Sequence, residues 1–170
     1  MYQSYMTIRL TLVCMLSVLL WSSCASSEAS RQEKAVMRAL IQKRISEGLS
    51  SRHYVIDVDR AHPDGRSPIH LTSPYSVTIS NDTIVSYLPF FGRAYDVPYG
   101  GGTGLNFTGR ILQYEESITR KGCHLIMMEV HSEEDTYQYA IDLYNDGTAI
   151  INVHPRRRSH IAFTGNFHIK

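Results

Sequence analysis

Tyr137-Gln138-Tyr139-Ala140-Ile141-Asp142-Leu143-Tyr144, then Asn145-Asp146-Gly147, then Thr148-Ala149-Ile150-Ile151-Asn152-Val153-His154, is the stretch that decides the fold. In the first arm Tyr137, Tyr139, Ile141 and Leu143 alternate with Gln138, Ala140, Asp142 and Tyr144. A period of two puts the first set on one face of a strand and the second on the other. One buried face and one wet face is the habit of antiparallel sheets. Asn-Asp-Gly between two such arms tolerates positive φ, which predicts a tight hairpin.

The same reading extends outward. Strand formers occupy 53–59, 75–80, 83–88, 105–108, 111–118, 123–131, 159–163 and 166–169, and Asn81-Asp82 is a second hairpin candidate. Residues 61–68, with His-Pro-Asp-Gly and Ser-Pro, read as a loop. Residues 89–104 hold two prolines and five glycines and read as a long loop with aromatic anchors. Upstream, Ser30 and Glu33 have capping-box spacing, and Ala35, Val36, Leu40, Ile41 and Ile45 lie near helical spacing. With Gly48 as a stop, an amphipathic helix is predicted over 31–47. The expected fold class is α+β: one N-terminal amphipathic helix packed on an antiparallel β-sheet meander.

The N-terminus carries an address. Arg9 is followed by an apolar run, Leu10 to Trp21, and then by Ser22-Ser23-Cys24-Ala25-Ser26. A charged start, a short apolar core and small residues describe a secretory signal. The run is too short to span roughly 30 Å of hydrocarbon. Cys24 after small residues resembles a bacterial lipobox, although Trp21 stands where a leucine-type residue is usual. That resemblance implies cleavage before Cys24 and lipid on it; the alternative is ordinary cleavage near Ala25. The expected organisation is a signal peptide over 1–23, a lipid-bearing tether over 24–30 and a single α+β domain over 31–170.

Charge excludes one class of partner. Without Arg9, the 17 Lys and Arg fall to 16, matching the 16 Asp and Glu. A neutral chain has no basic footprint for counterion release, so no nucleic acid partner is expected. Membrane attachment is expected through the Cys24 lipid. Of three cysteines, only Cys123 remains once Cys14 leaves with the signal and Cys24 is acylated, so no internal disulfide is expected. Cys123 reads as a small residue in a strand.

Tyr87-Leu88-Pro89-Phe90-Phe91-Gly92-Arg93-Ala94-Tyr95, Pro98-Tyr99-Gly100-Gly101 and Leu105-Asn106-Phe107 form an ordered set of aromatics, glycines and prolines. With Tyr75-Ser76-Val77 upstream and Ile161-Ala162-Phe163-Thr164-Gly165 downstream, the pattern resembles a Bacteroidota lipoprotein family, domain of unknown function 4251. The resemblance covers most of the mature chain. It implies an envelope lipoprotein, expected at the outer membrane facing the periplasm, and brings no activity or catalytic residue.

Catalytic motifs are sparse. Gly100-Gly101-Gly102-Thr103-Gly104 lacks the Lys-Ser/Thr and helix of a phosphate loop. The eight histidines form no His-x-x-x-His pair, so no metal and no cofactor is expected; a site assembled across strands stays open, with His160 and His168 eight apart. Cys123 and His124 are neighbours on opposite faces of a strand, and no catalytic residue is assigned. Arg156-Arg157-Arg158 is either an anion site or a charged turn that blocks edge pairing. The candidate binding residues are Phe90, Phe91, Arg93, Tyr95 and Tyr99 in the aromatic loop, set against a purely structural role as loop anchors. Three functions follow in order. The first is a non-enzymatic envelope lipoprotein binding a protein partner or assembly. The second is a small-ligand or glycan binder using loop 87–107. The third is an enzyme with a site assembled across strands.

Overall fold

The computed structural model describes residues 25–92, 105–120 and 122–169. It divides into two compact units, one ending at Ala39 and one running from Leu40 onward. The elements are a helix α1 (Ala25–Ser51), then β1 (His53–Pro63), β2 (Ile69–Ser80), β3 (Thr83–Leu88), β4 (Leu105–Ile118), β5 (His124–His131), β6 (Thr136–Leu143), β7 (Thr148–Pro155) and β8 (Ile161–Ile169). Each strand pairs antiparallel with the next, and β8 pairs back onto β1 to close an eight-stranded barrel. The expected α+β meander is therefore corrected: among the described residues the fold is a mostly-β closed barrel with one helix. Local alternation carries no signal for closure, because the seam joins His53–Pro63 to Ile161–Ile169.

Two bulges shape the barrel and explain the misread strands. In β1 the register shifts between Val58 and Arg60, so Tyr54, Ile56 and Val58 face inward before the bulge, and Ala61 and Pro63 after it. The phase change hid strand character in residues assigned to a loop. In β4 the shift falls between Ile111 and Gln113, and Leu112 points outward, 58% exposed. A bulge bends its strand and increases local twist, which helps a sheet curl shut.

Eight strands leave an interior just wide enough to be filled by side chains. Here Tyr54, Tyr139, Phe163, Ile56, Ile79, Ile126 and Ile141 are fully buried. Tyr139 donates its hydroxyl proton to Ser86 Oγ at 3.0 Å, and Ser86 donates to the Leu105 carbonyl at 2.7 Å. Tyr54 and Tyr114 hydroxyls meet at 3.3 Å. Burial first of all pushes the phenols of Tyr54, Tyr114, Tyr137 and Tyr139 above the ordinary tyrosine range. These groups keep their protons in the fold where unfolded tyrosines, near about pH 10, lose theirs. The stability they contribute is whole below that pH and drains as pH rises toward the folded values. A thermal midpoint that falls steeply above about pH 10 is the expected result; a flat midpoint would contradict it.

In the second unit, the part of α1 from Leu40 to Ser51 buries Ile45 and Leu49 and half-buries Ile41. The predicted stripe is narrower than expected, since Val36 is 61% and Leu40 49% exposed. Helix bounds also differ: α1 already includes residues 25–30, read as tether, and runs through Gly48. Gly48 is not a stop. A Cβ there would sit 2.6 Å from Phe167 Cζ, so the missing side chain is what lets the ring close on the helix. The turn after α1 is made by Arg52 at φ 51°, whose guanidinium lies 4.4 Å from the Tyr114 ring centroid.

The turns divide between two ends. Hairpins 81–82 and 144–147 lie on the same end as the starts of β1 and β7. The first turns at Asn81 (φ 51°) and the second at Gly147 (φ 88°). The connections after β1, β5 and β7, together with the described start of the segment after β3 (89–92), lie on the other end, called the mouth below.

Candidate functional site

The mouth joins two features that lie far apart in sequence. The β5–β6 turn is set by Ser132, whose hydroxyl accepts from Glu134 N at 3.2 Å and Asp135 N at 3.3 Å. Asp135 then ties this turn to the next one. Its carboxylate accepts from Thr136 N at 2.8 Å through Oδ1 and from Arg157 N at 3.1 Å through Oδ2. The acidic turn thus holds the arginine turn by its backbone. Arg158 is buried, 8% exposed. Its guanidinium reaches Glu134 Oε2 at 3.4 Å and lies 5.5 Å from the Phe90 ring centroid.

Phe90 and Phe91 are half-buried and packed on the core. At Gly92 a Cβ would stand 2.3 Å from Ser159 Oγ and 2.6 Å from Phe90 Cζ, so the start of the aromatic segment lies tight against the arginine turn. Phe107, on the returning strand, stacks on Tyr137 at 4.3 Å and 13°. Arg93, Tyr95 and Tyr99, like Cys24, lie outside the described residues. Of the candidate binding residues the structure describes, Phe90 and Phe91 both pack on the core at the mouth, and Phe90 lies beside Arg158.

Losing a buried guanidinium strands its partners. Arg158→Ala is expected to cost about 1–3 kcal/mol, since the charge-assisted bond and the ring contact both go. Arg158→Lys restores the charge but not the planar stacking and should recover part of the loss. Urea melts of the two variants measure this, and wild-type stability in Arg158→Ala would refute the anchoring role.

Other predicted sites resolve differently. His160 and His168 lie at opposite ends of the barrel, with His168 Nε2 3.5 Å from Asp57 Oδ2. His154 and His160 instead come together, their rings stacked at 4.4 Å and 27°. No spacing motif marks this pair in the sequence, although extending the Val153–Ile161 register by one residue on each arm finds it. Among the described residues no group of three His, Cys, Asp or Glu is placed to hold a metal ion. Cys123 is half-buried in the turn before β5 rather than in the strand, with its N–H donated to Thr119 Oγ1 at 3.1 Å. Open clefts flank the acidic turn, one of about 310 Å³ between Asn106–Thr108 and Ser132–Glu134 and one of about 240 Å³ beside Arg156 and Arg157.

Residues 37–167 match a family model described as "Domain of unknown function (DUF4251)". The fold is similar to the crystal structure of a DUF4251 family protein from Bacteroides eggerthii DSM 20697, with a TM-score of 0.60 and 14% identity, over 77% of this chain and 89% of that one. No curated protein matches the chain.

Proposed function

Because the chain belongs to the DUF4251 family, whose description carries no activity, we propose a function from the geometry of the mouth: a non-enzymatic envelope lipoprotein that docks a protein partner there. One observation carries this reading. The barrel interior is occupied by its own tyrosine, phenylalanine and isoleucine side chains, which moves recognition to the rim. The rim is built to hold a shape: two charged turns are tied backbone to carboxylate through Asp135, and the aromatic segment is pinned on Arg158. Preorganised loops on a rigid scaffold lower the ordering cost of binding. Cys24 would supply the anchor through its lipid, at the outer membrane facing the periplasm.

Glycan binding has one observation in its favour, the cleft where Phe107 lies beside Asn106 and Thr108. An aromatic edge beside hydrogen-bonding side chains, here Asn106, Thr108, Ser132 and two glutamates, suits a sugar ring.

A photo-crosslinking residue placed at Arg156, and as a control at Glu116, tests the docking reading in intact cells. The expected result is a discrete protein adduct at Arg156, absent at Glu116 and lost when Cys24→Ala removes the anchor. Identical adducts at both positions, or none at Arg156, would sink it.

A further inference from the structure

The stacked histidines occupy a particular place. His154 lies near the end of β7 and His160 directly before β8, so their rings close the neck of the turn that carries Arg156, Arg157 and Arg158. Resting on the docking reading above, we infer that the mouth takes an acidic segment of its protein partner and binds it more tightly in mild acid, with the His154–His160 pair as the switch.

The surroundings of the pair are specific. His154 faces Gln138 across the β6–β7 ladder, an uncharged neighbour. Asp64, in the loop after β1, favours the charged form of His160. His62 on β1 has Nε2 2.8 Å from Thr164 Oγ1 on β8. Within the turn, Arg156 is 74% exposed at 4.0 Å from Glu129. Burial first, and His154 second, hold His160 below the ordinary histidine range. His160 therefore favours its neutral, stacked form above about pH 6.5, and that preference is lost as pH falls through its lowered folded value. Two protonated rings in van der Waals contact repel each other and the arginines between them, and a partner carboxylate relieves that repulsion.

The whole end follows the same sign. Among its described residues, Arg60, Arg66, Arg156, Arg157 and Arg158 stand against Asp59, Asp64, Glu129, Glu133, Glu134 and Asp135, leaving it near neutral. Five histidines share it: His62, His70, His131, His154 and His160. Imidazoles gain their protons over about pH 8 to 5, so acid turns a balanced rim cationic. Charge complementarity then selects an acidic surface and raises its rate of association. Binding of such a segment must take up protons.

The probe is poly-L-aspartate, titrated onto the full-length protein in neutral detergent at about pH 7.5 and pH 5.5, with phosphatidylglycerol vesicles as a second arm. Affinity for polyaspartate should rise about tenfold or more on acidification, with net proton uptake, and His154→Gln should make that rise measurably smaller. His154 is exposed, so this variant keeps the fold. Polyaspartate affinity independent of pH, an unchanged response in His154→Gln, or binding to vesicles alone would each overturn the inference. A mouth adduct at Arg156 together with pH-independent polyaspartate binding would sink the switch and leave the docking reading standing.

Discussion

Gly165→Ala should cost at least about 3 kcal/mol, a large share of the roughly 5–15 kcal/mol that holds a domain folded. A Cβ at this position in β8 would lie 2.1 Å from the Asp57 carbonyl oxygen, 2.9 Å from its carbon and 3.0 Å from Val58 Cα. All three atoms are backbone, so no rotamer change relieves the clash. Gly165 pairs with Val58 at the edge of the β1 bulge, where the seam is drawn tight. Making room means moving β1 from β8, which loosens the only non-consecutive pairing in the barrel. Gly109→Ala is the comparison: its nearest contact is the Val130 Cγ1 methyl at 2.7 Å, and the His131 carbonyl oxygen is at 3.0 Å, so it should cost less. Chemical denaturation of both variants gives the order. A Gly165→Ala protein that unfolds at the wild-type midpoint would show that the seam is not held by close approach.

Tyr139→Ala should cost about 3–5 kcal/mol, the usual range for emptying a large buried aromatic position. Tyr139→Phe separates the ring from the hydroxyl. It removes one buried hydrogen bond and leaves Ser86 still donating to Leu105, so its cost should be about 1 kcal/mol. If the two substitutions cost the same, the hydroxyl's bond to Ser86 rather than packing would account for the position. Equal stability of Tyr139→Phe and wild type would assign everything to the ring.

Legibility in the sequence followed locality. The arms around Asn145-Asp146-Gly147 were readable because one face is buried and the other is wet, and Tyr137, Tyr139, Ile141 and Leu143 are each at most 1% exposed. Closure was not readable, because β1 and β8 are strands like any other until their register is known. Glycines misled in the same way. Gly48 looked like a helix stop by residue type, whereas its reason is the Phe167 ring, which sequence cannot place beside it. At the site, Phe90 and Phe91 stand out as candidate binding residues from their setting among prolines and glycines, and the structure packs both on the core. Three consecutive arginines share one sequence context, yet one is buried against Phe90 and Glu134 while Arg156 lies open. That asymmetry belongs to the turn geometry, and only the structure reveals it.

The seam also sets an order in time. β8 is synthesised after every strand it touches, yet β1 has one neighbour missing until β8 arrives. Loop closure over so much chain is slow compared with forming the consecutive hairpins. During that interval both β1 and β7 present bare edges, which template pairing between chains. A nascent chain is therefore most vulnerable to self-association just before β8 docks. Slowing that docking, without changing the finished barrel, would lower yield and leave the stability of the survivors untouched.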